Sequence, residues 1–95
     1  MSQFYFTYVL LSEKDSMFYT GYTHDLHIRL IQHNSGYVQS TYNRRPLKLI
    51  YYEACLSQVD ALNRERYLKS GMGKRYIRNR IKNFFVKSIP TCQYE

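Results

Sequence analysis

The 95 residues of the chain are enough for one modest hydrophobic core and too few for two, and no repeat or low-complexity segment divides them. Fourteen lysines and arginines against seven acidic residues give a formal net charge of +7, which favours a polyanionic partner, most often nucleic acid. No apolar run approaches the roughly 20 residues that cross a bilayer, and residues 1–11 lack the features of a signal peptide, so we expect a cytoplasmic protein with no membrane partner.

The chain begins with a pattern that predicts a β-hairpin. Residues 4–11 are aromatic and β-branched, which is typical of a strand, and residues 12–16 form a polar turn. Residues 17–21 predict the returning strand. Tyr8 and Tyr19 then lie on neighbouring strands, where their side chains can point at one site, although a tyrosine in a strand more commonly packs in the core.

A helix is predicted next, opened by Thr23 or Asp25 and ended by Asn34-Ser35-Gly36. The residues that we expect to face the core are Leu26, Leu30 and Ile31. Another face carries Asp25, Arg29 and His33 at steps of four. Arg29 offers a planar guanidinium suited to phosphate, or it pairs with Asp25 one turn earlier. His33 either relays a proton or contacts phosphate, or it is a surface residue near the helix end.

The second half of the chain predicts one strand and two helices. Residues 37–45 are a polar loop, residues 47–53 a third strand, and Ser57 with Asp60 a helix N-terminus. Gly71 ends that helix, and a third helix follows Gly73. The residues expected to face the core are Val59, Leu62, Leu68, Ile77, Ile81 and Phe84. The order ββαβαα predicts an α+β fold, a three-stranded antiparallel sheet flanked by helices, in one domain of residues 1–85 with a C-terminal tail of residues 86–95.

A one-sided basic region spans residues 64–82, with eight lysines and arginines and one acid, Glu65. Such a region favours contacts with nucleic-acid phosphates, although a solvated surface that keeps the protein soluble is an alternative. The residues that we expect to bind nucleic acid are Arg45, Lys69, Lys74, Arg75 and Arg78. Judged by its neighbours alone, Glu65 is a partner of Lys69 at i,i+4. A site with two carboxylates and two metals is not expected in this region.

The cysteines and histidines carry no recognisable ligand or disulfide pattern. Cys55 and Cys92 lie far apart and outside any CxxC pair, so two reduced thiols are expected. His24 and His27 have the HxxH spacing, but no further ligand pair accompanies them, so zinc is not expected.

Two short motifs connect the hairpin to a known family. Phe6-Thr7-Tyr8 in the first strand and Tyr19-Thr20-Gly21 in the second occupy the positions of the two motifs of the GIY-YIG nuclease superfamily, which the chain resembles over about residues 4–83. Further matches at compatible spacing are Arg29, residues 33–36, 45–46, 49–54 and 61–65, and Lys69. The chain is most similar to the small stand-alone members, and more distantly to the N-terminal nuclease domain of the excision-repair endonuclease. It departs from the motifs where Phe6, Thr7 and Thr20 replace Gly, Ile and Ile, and none of these changes removes a reacting group.

The resemblance implies a metal-dependent endonuclease that hydrolyses DNA phosphodiester bonds. It implies Tyr8 as general base and Tyr19 as its neighbour in positioning water or phosphate. It also implies that Arg29 stabilises the transition state and that Glu65 holds one Mg²⁺ or Mn²⁺. A single carboxylate suffices when water and phosphate oxygens complete the octahedron. His33, one turn beyond Arg29, is a further candidate.

Two other functions stay open at this point. The chain is alternatively a nucleic-acid-binding module of the same fold without cleavage, or a basic RNA-associated protein without enzymatic role. The partner implied by the resemblance is DNA, with RNA left open, and protein partners are unspecified. Convergence of Tyr8, Tyr19, Arg29 and Glu65 on one site favours the enzyme, because neither alternative explains that set.

Overall fold

The computed structural model describes residues 3–86 and confirms the predicted α+β class and the order ββαβαα, followed by a single-turn helix. Its elements are β1 (Tyr5–Ser12), β2 (Phe18–Thr23), α1 (Leu26–Asn34), a 3₁₀ helix (Gln39–Arg44), β3 (Leu47–Cys55), α2 (Gln58–Lys69), α3 (Gly71–Arg80) and α4 (Lys82–Phe85). Within residues 3–86, no helix has the length and apolar character that crossing a membrane requires. Most of the predicted tail, residues 87–95 with Cys92, lies outside the described residues, so the division at residue 85 and the two reduced thiols stay predictions.

The three strands form an antiparallel sheet in the order β2-β1-β3, so β1 is central. Tyr8 lies opposite Gly21 on one side and Tyr52 on the other. Between Val9 and Leu10 the pairing with β3 shifts by one residue. Because successive side chains of a strand point to opposite faces, Tyr8 and its neighbour Val9 face different layers of the molecule.

Two hydrophobic clusters lie on the two faces of the sheet. The first contains Tyr8, Leu10 and Leu47, with residues of α1 packed against it. The second contains Val9, Leu68 and Ile77, which join β1 to α2 and α3. The sheet therefore separates α1 from α2 and α3, and β1 contributes to both clusters.

Helix α1 is delimited by suitable residues at both ends. Asp25 is the N-cap, since its side chain accepts a hydrogen bond from the Ile28 N–H at 3.1 Å. At the other end Gly36 has a φ of 86°, a conformation that favours glycine. The N–H of Tyr37 then donates to the Gln32 carbonyl at 3.0 Å, as in a Schellman motif. The predicted stop at residues 34–36 is confirmed.

The predicted core-facing side of α1 is partly wrong. Leu26 and Leu30 pack on the first cluster as predicted, but Ile31 is 52% exposed. Leu26 and Leu30 are partly buried, and the one fully buried residue of the helix is His33. Positions 26, 30 and 33 share one face of a helix, so the polar His33 takes the place that the apolar pattern assigned to Ile31.

The predicted core-facing side of α2 is wrong at two of three positions. Leu68 is buried as predicted, whereas Val59 is 64% and Leu62 37% exposed. The helix instead turns Ala61 and Leu68 inward, with the partly buried Glu65 between them. These three positions share one face of the helix. A pattern of apolar residues alone passes over Glu65 and therefore predicts the wrong face of α2 to point to the core.

The third helix starts at Gly71, three residues before its predicted start after Gly73, because the Ser70 side chain caps it by accepting from the Gly73 N–H at 3.1 Å. Ile77 is fully buried as predicted. Ile81 leaves the helical conformation, with φ −118° and ψ 40°. Phe84 therefore belongs to α4 and does not continue the stripe of α3.

Side-chain contacts with the backbone attach α1 and α2 to the sheet. The amide of Asn34 donates to the Leu47 carbonyl at 3.0 Å and accepts from its N–H at 2.8 Å. On the opposite face the hydroxyl of Thr7 donates to the Ala61 carbonyl at 2.7 Å. These contacts fix each helix in position as well as in rotation.

The segment predicted as a loop contains the 3₁₀ helix, and Arg44 attaches it to the hairpin. Arg44 Nε lies 3.0 Å from Asp15 Oδ2, and Arg44 Nη2 donates to the Met17 carbonyl at 3.0 Å. The buried hydroxyl of Ser12 donates to the Arg44 carbonyl at 2.7 Å. The 3₁₀ helix is thereby held in place, with its Thr41 fully buried.

Gly21 leaves the space that the ring of Tyr8 occupies. A Cβ atom at Gly21 would collide with Oη and Cζ of Tyr8. We predict that Gly21→Ala lowers the free energy of unfolding by about 1–3 kcal/mol, because a buried ring has to shift. The measurement is urea denaturation.

The matched control is Gly71→Ala, because a Cβ atom there meets nothing within 4 Å. It should leave stability unchanged or raise it by up to about 1 kcal/mol, since alanine favours helix. Equal stabilities of the two variants would contradict the steric role of Gly21.

Candidate active site

The hydroxyl of Tyr8 contacts the imidazole of His33 between the sheet and α1. Tyr8 Oη lies 2.8 Å from His33 Nε2, and both side chains are buried. The rings meet edge to face at a centroid distance of 5.7 Å. The alternative of a surface histidine is therefore wrong, because α1 rotates His33 onto the central strand.

The second nitrogen of His33 also has a partner. His33 Nδ1 lies 2.8 Å from Thr41 Oγ1, and Thr41 Oγ1 lies 3.4 Å from the Val38 carbonyl oxygen. Sequence reasoning missed Thr41, because a threonine in a polar segment carries no local sign of burial. The 3₁₀ helix turns it inward.

Tyr19 completes an aromatic wall around the histidine. Its ring centroid lies 5.1 Å from that of His33 and 6.5 Å from that of Tyr8. Tyr19 pairs with Leu10 across the strands, so it stands diagonal to Tyr8 on the same face. The expectation that both tyrosines point at one site is confirmed.

Arg29 lies at the same site. Its Nη1 donates to Gln32 Oε1 at 3.0 Å, and its positive charge favours the ionised form of Tyr8. Asp25, its alternative partner, has its carboxylate at the helix N-terminus. The guanidinium is partly buried, and it places a permanent positive charge beside the two buried hydrogen-bonded groups.

The buried pair is held in its neutral form. Burial raises the pKa of Tyr8 to about 12, and the nearby guanidinium of Arg29 offsets part of that rise. Burial, with the positive charge of Arg29 as a second cause, lowers the pKa of His33 to about 4. At pH 7 the phenol is therefore protonated and the imidazole uncharged.

Glu65, on α2, acts on Tyr8 through its charge. Its negative charge contributes to the raised pKa of Tyr8, and its Oε2 lies 3.1 Å from Lys69 Nζ. Glu65 thus lies near Tyr8 and also forms the i,i+4 pair with Lys69. Among residues 3–86, no group of three or more His, Cys, Asp and Glu side chains is placed to hold a metal ion. A lone carboxylate fits Mg²⁺, which keeps several waters and is completed by substrate phosphate.

A sequence model of the GIY-YIG catalytic domain matches residues 4–79. The chain belongs to the GIY-YIG family. It is 41% identical over 83 residues to a UPF0213 protein in the ldhD 5′ region of Pediococcus acidilactici, covering 80% of this chain and 82% of that protein. It is 34% identical over 71 residues to a UPF0213 protein of Haloquadratum walsbyi, covering 74% and 79%.

A solved structure supports the same assignment. The solution NMR structure of a UPF0213 protein from Bacillus halodurans matches with a TM-score of 0.55 and 27% identity, over 94% of this chain and 97% of that one. The GIY-YIG domain implies a nuclease-type function and a nucleic-acid substrate. GIY-YIG nucleases generally use a divalent metal, which agrees with the coarse prediction from the motifs.

The basic residues outside this GIY-YIG site fall into different environments. Arg78 lies over the ring of Phe18, with Cζ 4.8 Å from the centroid, and near Phe85. Arg45 lies over Tyr42 at 4.4 Å. Lys74 and Arg75 are exposed on α3, and Lys69 is exposed beside Glu65. Their role in binding nucleic acid stays a prediction.

Arg64, the first residue of the basic region, is held by contacts within the protein. Its Nε donates to Glu53 Oε1 at 2.8 Å, and the hydroxyl of Tyr51 donates to the same carboxylate at 2.9 Å. The hydrogen bond from Arg64 lowers the pKa of Glu53. The guanidinium also lies 5.2 Å and 5.3 Å from the rings of Tyr67 and Tyr76. This cluster joins β3, α2 and α3.

The depressed pKa of His33 predicts acid destabilisation. Between pH 6.5 and about 4 the unfolded chain binds a proton at His33 that the folded chain does not, so stability falls as the pH falls. Lowering the pH from 7 to 5 should cost about 2 kcal/mol through this residue. Urea denaturation at the two pH values measures it.

The control separates His33 from other titrating groups. His33→Gln should lose this part of the pH dependence, whereas His24→Gln and His27→Gln, at exposed positions, should keep it. An equal pH dependence in His33→Gln and the parent would show that His33 is protonated in the folded state at pH 5.

Proposed function

We propose that this GIY-YIG domain is an endonuclease that hydrolyses DNA phosphodiester bonds with the help of one divalent metal. One observation carries the proposal. Tyr19, Arg29, His33 and Glu65 all act on Tyr8, through ring contact, hydrogen bonding or charge. A module that only binds nucleic acid has no need for this set around one buried hydroxyl.

Tyr8 and His33 together act as the general base that takes the proton of the attacking water. A protonated phenol accepts a proton from water only if it passes its own proton on. His33 Nε2 lies 2.8 Å from Tyr8 Oη and is uncharged at pH 7 because its pKa is about 4. As water attacks phosphorus, its proton moves to Tyr8 Oη and the Tyr8 proton moves to His33 Nε2.

Arg29 and Tyr19 act on the phosphate. The Arg29 guanidinium is planar and always charged, so it stabilises the negative charge that grows on the phosphate oxygens. Gln32 restricts its orientation through the 3.0 Å hydrogen bond. A bound phosphate also offsets the charge of Arg29, which makes proton transfer to His33 easier. Tyr19, beside Tyr8, positions the water or the phosphate.

Glu65 is the proposed ligand for Mg²⁺ or Mn²⁺. When bound, the ion supplies Lewis-acid stabilisation of the charge on the phosphate and on the leaving oxygen. Lys69 holds the Glu65 carboxylate at 3.1 Å, which limits the conformations of the acid. The exposed position of Lys69 also allows its ammonium to contact a neighbouring phosphate of the DNA.

Glu65→Gln tests the enzymatic proposal, because it removes the anionic ligand and keeps the side-chain size. Metal-dependent cleavage should fall by at least about 10²-fold, as when a main electrostatic contributor is removed. Affinity for DNA should stay equal or rise slightly, since a negative charge is lost. Nicking assays over branched, nicked, single-stranded and duplex DNA measure the first effect, and titration measures the second.

Glu13→Gln is the matched control, because Glu13 is an exposed acid in the hairpin turn. It should leave cleavage and metal dependence unchanged. Cleavage by Glu65→Gln at the parental rate would refute the metal assignment. Absence of cleavage by the parent on every DNA would favour a binding module.

Binding to DNA should depend steeply on salt, because the proposed contacts from the basic region are with phosphates. Each phosphate contact contributes about −0.9 to the slope of log K against log salt for duplex DNA. Replacing Lys74 and Arg75 by Gln should therefore make the slope shallower by about 2 and weaken all sequences alike. Binding titrations at several salt concentrations measure both effects.

Lys48→Gln serves as the comparison, since Lys48 lies on β3 outside the basic region. The slope of log K against log salt for Lys48→Gln should equal that of the parent. An unchanged slope in the Lys74 and Arg75 variant, or an affinity tied to one sequence, would argue against phosphate contacts on α3.

A further inference from the structure

Four side-chain and backbone groups form one buried line of hydrogen bonds. Tyr8 Oη contacts His33 Nε2 at 2.8 Å, and His33 Nδ1 contacts Thr41 Oγ1 at 2.8 Å. Thr41 Oγ1 contacts the Val38 carbonyl oxygen at 3.4 Å. The three side chains in this line, those of Tyr8, His33 and Thr41, are buried.

The last group in the line favours one direction of the hydrogen bonds. A carbonyl oxygen has no hydrogen, so Thr41 is the donor in its contact with Val38. A hydroxyl has one hydrogen, so a Thr41 that donates to Val38 accepts from His33 Nδ1. In this arrangement His33 carries its hydrogen on Nδ1.

A neutral imidazole carries a hydrogen on one nitrogen only. With Nδ1 protonated, Nε2 has a free lone pair and accepts the hydrogen of Tyr8. The phenol thus donates to the histidine.

We propose that Thr41 is a positioning residue whose hydroxyl selects the Nδ1–H tautomer of His33 and so keeps Nε2 free to receive the proton of Tyr8. Thr41 touches neither water nor phosphate in this role and acts through His33. The reverse tautomer would donate from Nε2 to Tyr8. It would leave the phenol without an acceptor for its proton.

Part of this inference rests on the proposed function, namely the effect of Thr41 on cleavage. The tautomer itself is a property of the folded protein. It can be measured whether or not the protein cleaves DNA, so failure of one proposal is distinguishable from failure of the other.

The first experiment is a long-range ¹H–¹⁵N NMR spectrum of the histidines in the full chain at pH 7. The chain has three histidines, and replacing His24 and His27 by Gln leaves His33 as the single signal. His33 should show a protonated Nδ1 and an unprotonated Nε2. A protonated Nε2 in the parent overturns the proposal without any further variant.

The same spectrum on Thr41→Val and Thr41→Ser tests the hydroxyl. Valine has the same shape but cannot accept a hydrogen bond, so a buried Nδ1–H would lose its partner. Thr41→Val should shift His33 to the Nε2–H tautomer, and Thr41→Ser should keep Nδ1–H. An unchanged tautomer in a folded Thr41→Val variant contradicts the proposal.

Cleavage gives the second readout. Thr41→Val should lose at least about 10-fold of the roughly 10²–10⁴-fold that general acid–base catalysis contributes, with DNA affinity unchanged. Thr41→Ser should recover most of that loss. A loss in Thr41→Ser with none in Thr41→Val would assign Thr41 a packing role through its methyl group and overturn the proposal. If the parent cleaves no DNA, the proposed function fails, and the NMR measurement of the His33 tautomer alone then tests the proposal about Thr41.

Discussion

The hydrogen bond between Tyr8 and His33 constrains most of the described fold. Tyr8 stands in the middle of the central strand with its side chain buried, so its hydroxyl needs a hydrogen-bond partner within the protein. That partner is His33, 2.8 Å away, and it fixes the rotation of α1. The second nitrogen of His33 is also buried and needs a hydrogen-bond partner, which is Thr41. Thr41 reaches this nitrogen because the 3₁₀ helix turns its side chain inward.

The face of the sheet that packs against α1 therefore combines a hydrophobic core with the candidate active site. An unpartnered buried polar group costs about 1–3 kcal/mol, yet no buried side-chain nitrogen or oxygen among residues 3–86 lacks a partner. The ring of Tyr8 belongs to the same cluster as Leu10 and Leu47, and the imidazole of His33 meets that ring edge to face. Rigidity of the site follows, because neither ring can move without opening a cavity in the core.

The sequence predicted the parts of this fold that depend on local patterns. Strands, helix ends and the motif tyrosines were found because alternation, capping residues and spacing are local signals. Ile31, Val59 and Leu62 were assigned to the core wrongly, because His33 and Glu65 occupy the inward faces of their helices. Thr41 and the Glu53–Arg64 pair were missed for another reason. Their partners are far away in sequence, and only the assembled sheet brings them together.

The position of Glu65 relative to Tyr8 has a further consequence. Tyr8 belongs to the layer of α1, whereas Glu65 is carried by α2, which packs on the other face of the sheet. The separation of the two groups is set by how closely α2 approaches the strands. That approach depends on Leu68 and on the Thr7–Ala61 hydrogen bond. Substitutions in this second core would thus change the separation of Tyr8 and Glu65 without touching either group.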